Sequence, residues 1–462
     1  MSNTSENFIK LNRTNLVNAI YRVFPIEKTR LRKGVKENIW PRLDFMHGRR
    51  NSGDRYFIFE EDYIETEWKD MISIHYINTS YHVQNTVMRI HIFSNNEISE
   101  TSYIGFFTLR KIDEPRFMLS YIYPNWTNIY CNSKRFHVMK YRKAIHIAGH
   151  ELTLYTYPLF VQDNITVACA QASMVSMTQY LHNKFDYSKV RIKELGNAFI
   201  TGKTKLFPSA GLLPTQMIEI FNYYDISVGF KVFKCEEENH NEYDTEYEKY
   251  RQYIDYSVES GMPVILGIMI EDNGIMKRHI LQIIGHTVQD RESYVVYDDS
   301  GYFLKNGLNM KGFVAAVDWK QFKPYIKNNN SFIIYPIHEK VYLLFDEFKK
   351  VFKEMYLQMS NLRNLEENNL SYLDKTRYFL ADNRDVKAFV KNNINNSDNS
   401  EVEKEIEKIL NSNLTHYVWC AEVPFQNGYF IFLADPTYGR LTTNNIFYNK
   451  IPLSSKKQFG LL

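Results

Sequence analysis

The sequence predicts an α+β protein, in which helices and strands occupy separate stretches of the chain. Between about residues 55 and 159, aromatic or β-branched residues alternate with polar ones in short runs, which is typical of strands. After residue 163 the apolar spacing becomes helical, and short runs rich in Val and Ile follow. Tyr, Phe and Trp make up 15% of the chain, and aromatic residues favour the half-buried faces of sheets. Helices followed by strands, instead of alternating with them, indicate an α+β layout.

We expect three regions along the 462 residues, because a domain usually has roughly 100–200 residues. Residues 1–155 form a β-rich N-terminal region, with MISIHYI and TVMRIHIF among its predicted strands. Residues 156–337 hold the helical segments and then the strands MPVILGIMI, HILQIIGHTV and SYVVYDD. Residues 338–462 form an α+β C-terminal extension, with a helix at VYLLFDEFKKVFKEMYLQMSNL and a β-hairpin around Asn427 and Gly428.

Charge and composition exclude several classes of protein. Lys and Arg number 56 and Asp and Glu number 53, so no global basic bias indicates a nucleic-acid partner. No segment has the ~18–20 uncharged residues of a membrane helix, and the N-terminus lacks an apolar run typical of a signal peptide. We therefore expect a cytoplasmic protein without a membrane or nucleic-acid partner. The four cysteines lie far apart without CxxC spacing, which fits neither a zinc site nor a disulfide framework.

The strongest candidate site combines a cysteine at the start of the first long central helix with a histidine and an acidic residue on later strands. These residues are Cys169, His279 and Asp298. A thiol at the positive end of a helix macrodipole and beside an imidazolium ionises more readily than a free thiol. His279 would serve as base and then as acid, and Asp298 would fix its tautomer. Gln162, seven residues before the cysteine, can offer its amide to a developing oxyanion.

These segments resemble the papain-like cysteine peptidase superfamily, particularly the branch that includes the leader peptidases of bacteriocin exporters. The matching words are QDNITVACAQASMVSMTQYL, GMPVILGI, RHILQIIGH and YVVYDDSGY. The resemblance implies a papain-like core, a central Cys-bearing helix packed on an antiparallel sheet. It also implies Cys169 as nucleophile, His279 as base, Asp298 as the orienting residue and Gln162 as oxyanion donor. The chain looks like an uncharacterised bacterial group that carries this domain behind a β-rich N-terminal region. Ala170 departs from the pattern, since the leader peptidases usually have Gly there.

The resemblance implies a thiol hydrolase that cleaves a peptide or isopeptide bond of a protein or peptide substrate and requires no cofactor. Two alternatives stay open at this point. The same triad serves acyltransferases and transglutaminase-like enzymes, and a papain-like fold can be a non-catalytic binding module. Asp299 can replace Asp298, because alternation along SYVVYDD does not determine which carboxylate turns inward.

Two further histidine patterns compete with this site. His146, His150 and Glu151 lie close in sequence, but the order differs from that of a helical zinc protease motif, so we expect structural or solvent-facing side chains. His416 and Asp435 are 19 residues apart, as are His279 and Asp298. No cysteine-bearing helix precedes His416, and we expect a plain hairpin there.

Overall fold

The computed structural model describes residues 8–24, 26–43, 54–74, 83–112, 116–122, 136–162, 168–197, 212–235, 240–287, 292–310, 312–362, 373, 375–394, 400–425, 428–437, 446–448 and 453–454. Helices and antiparallel sheets are both abundant, which confirms the α+β class. The chain divides into two compact units. Unit 1 comprises Met1–Glu238 with Pro263–Ile334, and unit 2 comprises Asn239–Met262 with Tyr335–Leu462. The division into three regions by sequence stays a prediction.

A seven-stranded sheet dominates the first 160 residues of unit 1. Its strands are adjacent in the order β1-β2-β3-β4-β5-β8-β7, and each neighbouring pair is antiparallel. Its central strands are largely buried, in agreement with their Val, Ile and Phe content. The strands are β1 (Ile9–Lys10), β2 (Tyr56–Tyr63), β3 (Val87–Phe93), β4 (Tyr103–Arg110), β5 (Arg116–Ile122), β7 (Tyr141–Ile147) and β8 (His150–Phe160).

Short helices lie before and after β2 in the chain, and one of them replaces a predicted strand. They are α1 (Arg13–Val23), α2 (Lys28–Gly34), α3 (Trp40–Leu43) and α4 (Thr66–Ile74), with a π-helical turn at Val35–Ile39. The prediction of a strand at MISIHYI was wrong, because its first four residues end α4 and its last three lie outside the described residues. Trp68 and Met71, three residues apart, are buried on one helical face. Buried Asp70 on this helix binds Arg191 at 2.6 Å.

The second sheet of unit 1 has strands in the order β13-β12-β11-β10-β14-β9, with β6 paired to the end of β11. The pairs from β13 to β14 are antiparallel. At Gly285, where β6 approaches β11, a Cβ atom would lie 2.1 Å from the His137 carbonyl oxygen, so only glycine fits. The strands are β6 (Phe136–Val138), β9 (Val228–Val232), β10 (Val264–Asp272), β11 (Ile275–Thr287), β12 (Ser293–Tyr297), β13 (Val314–Asp318) and β14 (Phe332–Pro336).

The central helix α5 (Cys169–Phe185) packs between the two sheets of unit 1. Residues 170–181 are all buried, so the helix is a core element and not an amphipathic surface helix. The Phe160 N–H on β8 donates to Ser176 Oγ (3.0 Å), and the Gln282 side chain on β11 donates to the Ser173 carbonyl (3.0 Å). The remaining helices of unit 1 are α6 (Ile192–Asn197), α7 (Pro214–Tyr223) and α9 (Trp319–Phe322), and further turns lie at Phe303–Gly307 and Lys323–Tyr325.

Unit 2 contains the third sheet, in the order β15-β16-β17-β18 with β19 paired to β17. Buried Arg377 on β15 binds Glu259 (2.8 Å) and Glu422 (2.7 Å), so its charge is paired inside the unit. The predicted hairpin is present as β16 and β17, and Asn427 lies outside the described residues. The elements are α8 (His240–Glu259), α10 (Phe345–Leu362), β15 (Arg377–Asp382), α11 (Asn383–Ile394), α12 (Ser400–Asn411), β16 (Tyr417–Phe425), β17 (Gly428–Ala434), β18 (Ile446–Tyr448) and β19 (Leu453–Ser454). Among the described residues, no helix is both long and apolar enough to span a membrane.

Candidate active site

The candidate nucleophile stands at the first position of α5. Ala168, the residue before Cys169, has an extended backbone. Its N–H donates to the Gln171 side-chain oxygen (3.1 Å), so a side chain from the first turn of α5 caps the N-terminus of the helix. The Cys169 thiol thus lies at the positive end of a 17-residue helix. It is partly exposed, whereas Cys235 and Cys420 are buried and Cys131 lies outside the described residues. Among the three described cysteines, Cys169 has the surroundings expected of a reactive thiol.

His279 and Asp298 form a buried hydrogen-bonded pair beside this thiol. His279 lies on β11, Asp298 follows the last residue of β12, and its Oδ1 is 2.9 Å from His279 Nε2. The Cys169 side chain lies close enough to the His279 ring to raise the pKa of that ring. Because Asp298 occupies Nε2, Nδ1 is the ring nitrogen that remains for the sulfur atom. The structure therefore brings three residues together in the order thiol, imidazole, carboxylate, although 129 residues separate the first from the last.

The loop after β12 holds Asp298 in its charged form. Ser300 donates to Oδ1 from its backbone N–H (3.3 Å) and its hydroxyl (3.0 Å), and the Leu304 N–H donates to Oδ2 (3.1 Å). Burial alone would raise the pKa of this carboxyl, but the charge and hydrogen bond of His279, together with these donors, lower it below its usual range. Asp298 is consequently a carboxylate with both oxygens committed to partners.

The His279 ring is held in its protonated form by its two neighbours. Burial on its own lowers the pKa of the ring, but the negative charge and hydrogen bond of Asp298 oppose that effect, and Cys169 adds to the opposition. The net result is a pKa well above the ordinary value for histidine. An imidazolium between a carboxylate and a thiol is the charge state that stabilises a thiolate at neutral pH.

Asp299, the alternative third residue, has different surroundings. Its carboxyl is fully buried, and neither of its oxygens makes a hydrogen bond to a described residue. Burial raises its pKa to about 7, the charge of His279 opposes the rise, and Asp298 adds to it. Asp298, and not Asp299, is therefore the carboxylate that contacts the imidazole.

Gln162 lies next to this group of residues through its backbone. Its backbone is close enough to the Asp299 carboxyl to lower the pKa of that group slightly, and its carbonyl accepts from the Arg110 guanidinium (3.5 Å). Tyr297 donates its hydroxyl hydrogen to the Phe160 carbonyl, two residues before Gln162. The segment that carries the predicted oxyanion donor thus runs alongside the end of β12, and the donor role of its side chain stays a prediction.

Several supporting residues were not found from the sequence. Arg110 is a strand residue without a local signal, and its contact with residue 162 depends on tertiary structure. Tyr297 ends β12, and its contact with the Phe160 carbonyl likewise depends on tertiary structure. Ser300, two residues after Asp298, has the spacing of a side-chain turn and could have been found.

A cation would have to compete with the hydrogen bonds of this site. The possible ligand atoms of His279, Asp298 and Asp299 lie within 4.8 Å of one another. However, His279 Nε2 and Asp298 Oδ1 already bind each other, and Asp298 Oδ2 accepts from the Leu304 N–H. These atoms fit a hydrogen-bonded triad better than a metal centre.

The competing histidine patterns lie elsewhere on the described surface. His146, His150 and Glu151 are exposed on the β7–β8 hairpin, whose two-residue turn is formed by Ala148 and Gly149 at positive φ. None of them belongs to a metal-binding group of the described residues. In unit 2, His416 is 3.7 Å from Asp382, whereas the Asp435 carboxylate accepts from Thr437. The second His–Asp spacing therefore does not correspond to a pair like His279–Asp298.

Comparison with known proteins adds no family to this description. No protein-family model matches the chain, and no curated protein is significantly similar to it. The assignment of a function therefore rests on the geometry of Cys169, His279 and Asp298.

Proposed function

We propose that this protein is a thiol hydrolase with a papain-like core that cleaves an amide bond of a peptide or protein substrate. The observation that carries the proposal is the hydrogen bond between the His279 ring and the Asp298 carboxylate (2.9 Å), beside a Cys169 thiol close enough to raise the pKa of that ring. A partly exposed thiol at a helix N-terminus, paired with a buried imidazolium, meets the requirements for an activated nucleophile. The sequence resemblance described above points to the same class.

The first half of the reaction would acylate the enzyme. The Cys169 thiolate attacks the amide carbonyl carbon, so a carbon–sulfur bond forms and the carbonyl electron pair moves to oxygen. The Cys169 N–H and the Gln162 side-chain amide are the donors proposed for that oxyanion. When the intermediate collapses, the carbon–nitrogen bond breaks and His279 gives its proton to the leaving amine. A thioester and a neutral imidazole remain.

The second half would restore the enzyme with water. Neutral His279 takes a proton from a water molecule, and the resulting hydroxide attacks the thioester carbonyl. The carbon–sulfur bond breaks, the carboxylic acid leaves, and the thiolate is again paired with the imidazolium. Asp298 stays ionised throughout, and it keeps the ring oriented and its positive charge stabilised.

The experiment that tests this proposal measures iodoacetamide alkylation of the full-length protein between pH 5 and 9. Intact mass gives the rate, and peptide mapping identifies the modified cysteine. We expect Cys169 to react fast below pH 7 and His279→Ala to slow it by about 10- to 100-fold, because an unpaired thiol is mostly protonated there. The Cys169→Ala variant shows how much iodoacetamide labels the other cysteines. His146→Ala, on the exposed β7–β8 hairpin, is the matched control and should react like wild type.

A slow reaction of Cys169 would contradict the proposal. If Cys169 reacts no faster than buried Cys235 and Cys420, or if His279→Ala has no effect, the thiolate–imidazolium pair does not exist. The non-catalytic binding module would then be the better description of this domain.

A further inference from the structure

The side chain of Gln282 joins the strand that carries the proposed base to the helix that carries the proposed nucleophile. Gln282 lies on β11, three residues after His279, and it is completely buried. Its amide nitrogen donates to the Ser173 carbonyl of α5 (3.0 Å), and its amide oxygen accepts from the Tyr157 hydroxyl of β8 (2.6 Å). One side chain therefore connects β11, α5 and β8.

The partners of Gln282 determine which way its amide points. A backbone carbonyl only accepts hydrogen bonds, so the amide nitrogen must face Ser173 and the amide oxygen must face Tyr157. The Ser173 carbonyl has two lone pairs, so it can accept from Gln282 and still take part in the helical ladder. A side chain of similar length without a donor and an acceptor, such as methionine, would leave the buried Tyr157 hydroxyl without this partner.

The bridge formed by Gln282 lies close to both reactive groups along their elements. Ser173 is four residues after Cys169, or about 6 Å along the helix axis. Gln282 is three residues after His279 on an extended strand, or about 10 Å away along it. Residues 170–181 of α5 are buried, and β11 is paired with β10 on one side and β12 on the other. Because both elements are held in the core, a displacement at the bridge also changes the separation of the thiol and the imidazole.

The end of β12, just before Asp298, is held in the same region. Tyr297 is paired with Gln282 across the two strands, so both side chains lie on one face of the sheet. The Tyr297 hydroxyl donates to the Phe160 carbonyl, and the Phe160 N–H donates to Ser176 Oγ on α5 (3.0 Å). β8 thus binds α5, β11 and β12, and Gln282 adds a direct link between α5 and β11.

We propose that Gln282 is a positioning residue whose amide holds α5 against β11 and so sets the separation of the Cys169 sulfur from the His279 ring. The inference rests on the proposed hydrolase function. Gln282 acts through the two elements and touches neither the substrate nor the reacting atoms. Because the imidazolium stabilises the thiolate beside it, a wider separation leaves less of the Cys169 thiol ionised at a given pH.

The test pairs Gln282 with a second buried glutamine of unit 1. Gln179 lies on α5 and its amide donates to the Tyr121 hydroxyl, but it is ten residues after Cys169, or about 15 Å along the helix. Gln282→Met and Gln179→Met make the same chemical change, because each replaces an amide with a thioether of similar length. Asp186→Asn, at the exposed end of α5, is the surface control.

Each full-length variant is alkylated with iodoacetamide between pH 5 and 9, with intact mass for the rate, Cys169→Ala as background and urea unfolding for stability. We expect the pH profile of Gln282→Met to move to higher pH by about one unit, which makes alkylation of Cys169 about tenfold slower on the acid limb. Gln179→Met should also lower the urea midpoint, but it should keep the wild-type profile and a rate within about twofold of wild type. Asp186→Asn should change neither property.

Tyr157→Phe tests the same bridge by a smaller change. It removes the hydroxyl that orients the Gln282 amide and leaves the bond from that amide to Ser173. We expect its alkylation profile to move in the same direction as that of Gln282→Met. This variant decides the question if Gln282→Met does not fold, and a wild-type profile in folded Tyr157→Phe would then contradict the proposal.

Two further results would overturn the inference, and both differ from a failure of the proposed function. If wild-type Cys169 alkylates fast but Gln282→Met keeps the wild-type profile, the proposed function stands and the positioning role is wrong. If Gln282→Met and Gln179→Met shift the profile equally, with equal losses of stability, the effect comes from a general loosening of α5 and contradicts a specific role of Gln282. If wild-type Cys169 alkylates slowly, the proposed function fails and the positioning role fails with it.

Discussion

In the described part of unit 1, two buried histidine–carboxylate pairs differ in their charge states. His279 contacts Asp298 at 2.9 Å, and His91 contacts Glu60 at 3.1 Å. The pKa of His279 is raised well above its ordinary value, whereas that of His91 is lowered to about 4. Burial lowers the pKa of both rings, so the difference must arise from the other neighbours.

The neighbours of the two carboxylates explain the difference. Glu60 is shared between His91 and the Arg89 guanidinium, and Arg89 also repels a charged His91. Among the described residues, the ring is the only cation that contacts Asp298, and backbone and hydroxyl donors complete its contacts. The second nitrogen of His91 contacts the Tyr103 hydroxyl (2.9 Å), while that of His279 is left for a thiol. A histidine–carboxylate pair is thus a candidate site only when its remaining partners allow a charged ring beside a nucleophile.

The largest expected effect is a loss of stability when the buried network of Glu60, Arg89 and His91 is disrupted. Glu60→Gln removes the charge that compensates buried Arg89, and we expect the free energy of unfolding at pH 7 to fall by about 3–5 kcal/mol. Urea unfolding followed by circular dichroism measures this change. Glu61→Gln, the neighbouring residue and less buried, is the matched control and should change stability little. A loss below about 1 kcal/mol for Glu60→Gln would show that the network contributes little to the fold.

The next effect is the acid dependence of stability due to His91. Its folded pKa of about 4 lies below the ordinary value of 6.5, so the unfolded chain binds the proton more readily between these values. The neutral His91 ring therefore makes its full contribution to the free energy of unfolding above pH 6.5. That contribution, up to about 3 kcal/mol, is lost as pH falls towards 4. His91→Gln should flatten this part of the stability profile in urea unfolding from pH 4 to 7. An unchanged slope would mean that His91 is charged in the folded protein.

The smallest effect concerns the charge that Asp298 supplies to His279. Asp298→Asn keeps the shape of the side chain but removes the negative charge that raises the pKa of the ring. We expect Cys169 alkylation at pH 6.5 to slow by about tenfold, equivalent to about 1.4 kcal/mol, while Asp186→Asn reacts like wild type. Nitrogen-15 NMR of the histidines should show a neutral His279 in this variant and a charged one in wild type. Unchanged alkylation would remove Asp298 from the proposed triad.

The sequence predicted the order of the core elements but not the choices that depend on tertiary contacts. Helical spacing after Cys169 and the Val- and Ile-rich strands around His279 are local signals, and both elements formed as predicted. The choice between Asp298 and Asp299 could not be made locally, because both are buried and the partner that distinguishes them, His279, lies on β11. The contacts of Arg89 could not be predicted for the same reason, because its partners lie on other strands.

The strand predicted at MISIHYI shows a second limit. Met71 and Ile72 begin an apolar run that fits a strand, and periodicity over so few residues does not separate helix from strand. The helical pattern becomes visible only when Trp68 is included, three residues before Met71. The ion pair of Asp70 with Arg191, 121 residues away, then holds this helix in place, and no local pattern contains that information.

The distribution of the proposed triad along the chain has a consequence for synthesis of the protein. Cys169 is made 110 residues before His279, which corresponds to roughly 5–20 s at the usual rates of translation. During that interval the thiol has no imidazolium partner, and it reacts as an ordinary cysteine. Asp298 follows 19 residues later, and the ring cannot hold its charge in a buried position before then. A nascent chain would therefore carry the proposed nucleophile in an inactive state until both sheets of unit 1 have emerged from the ribosome.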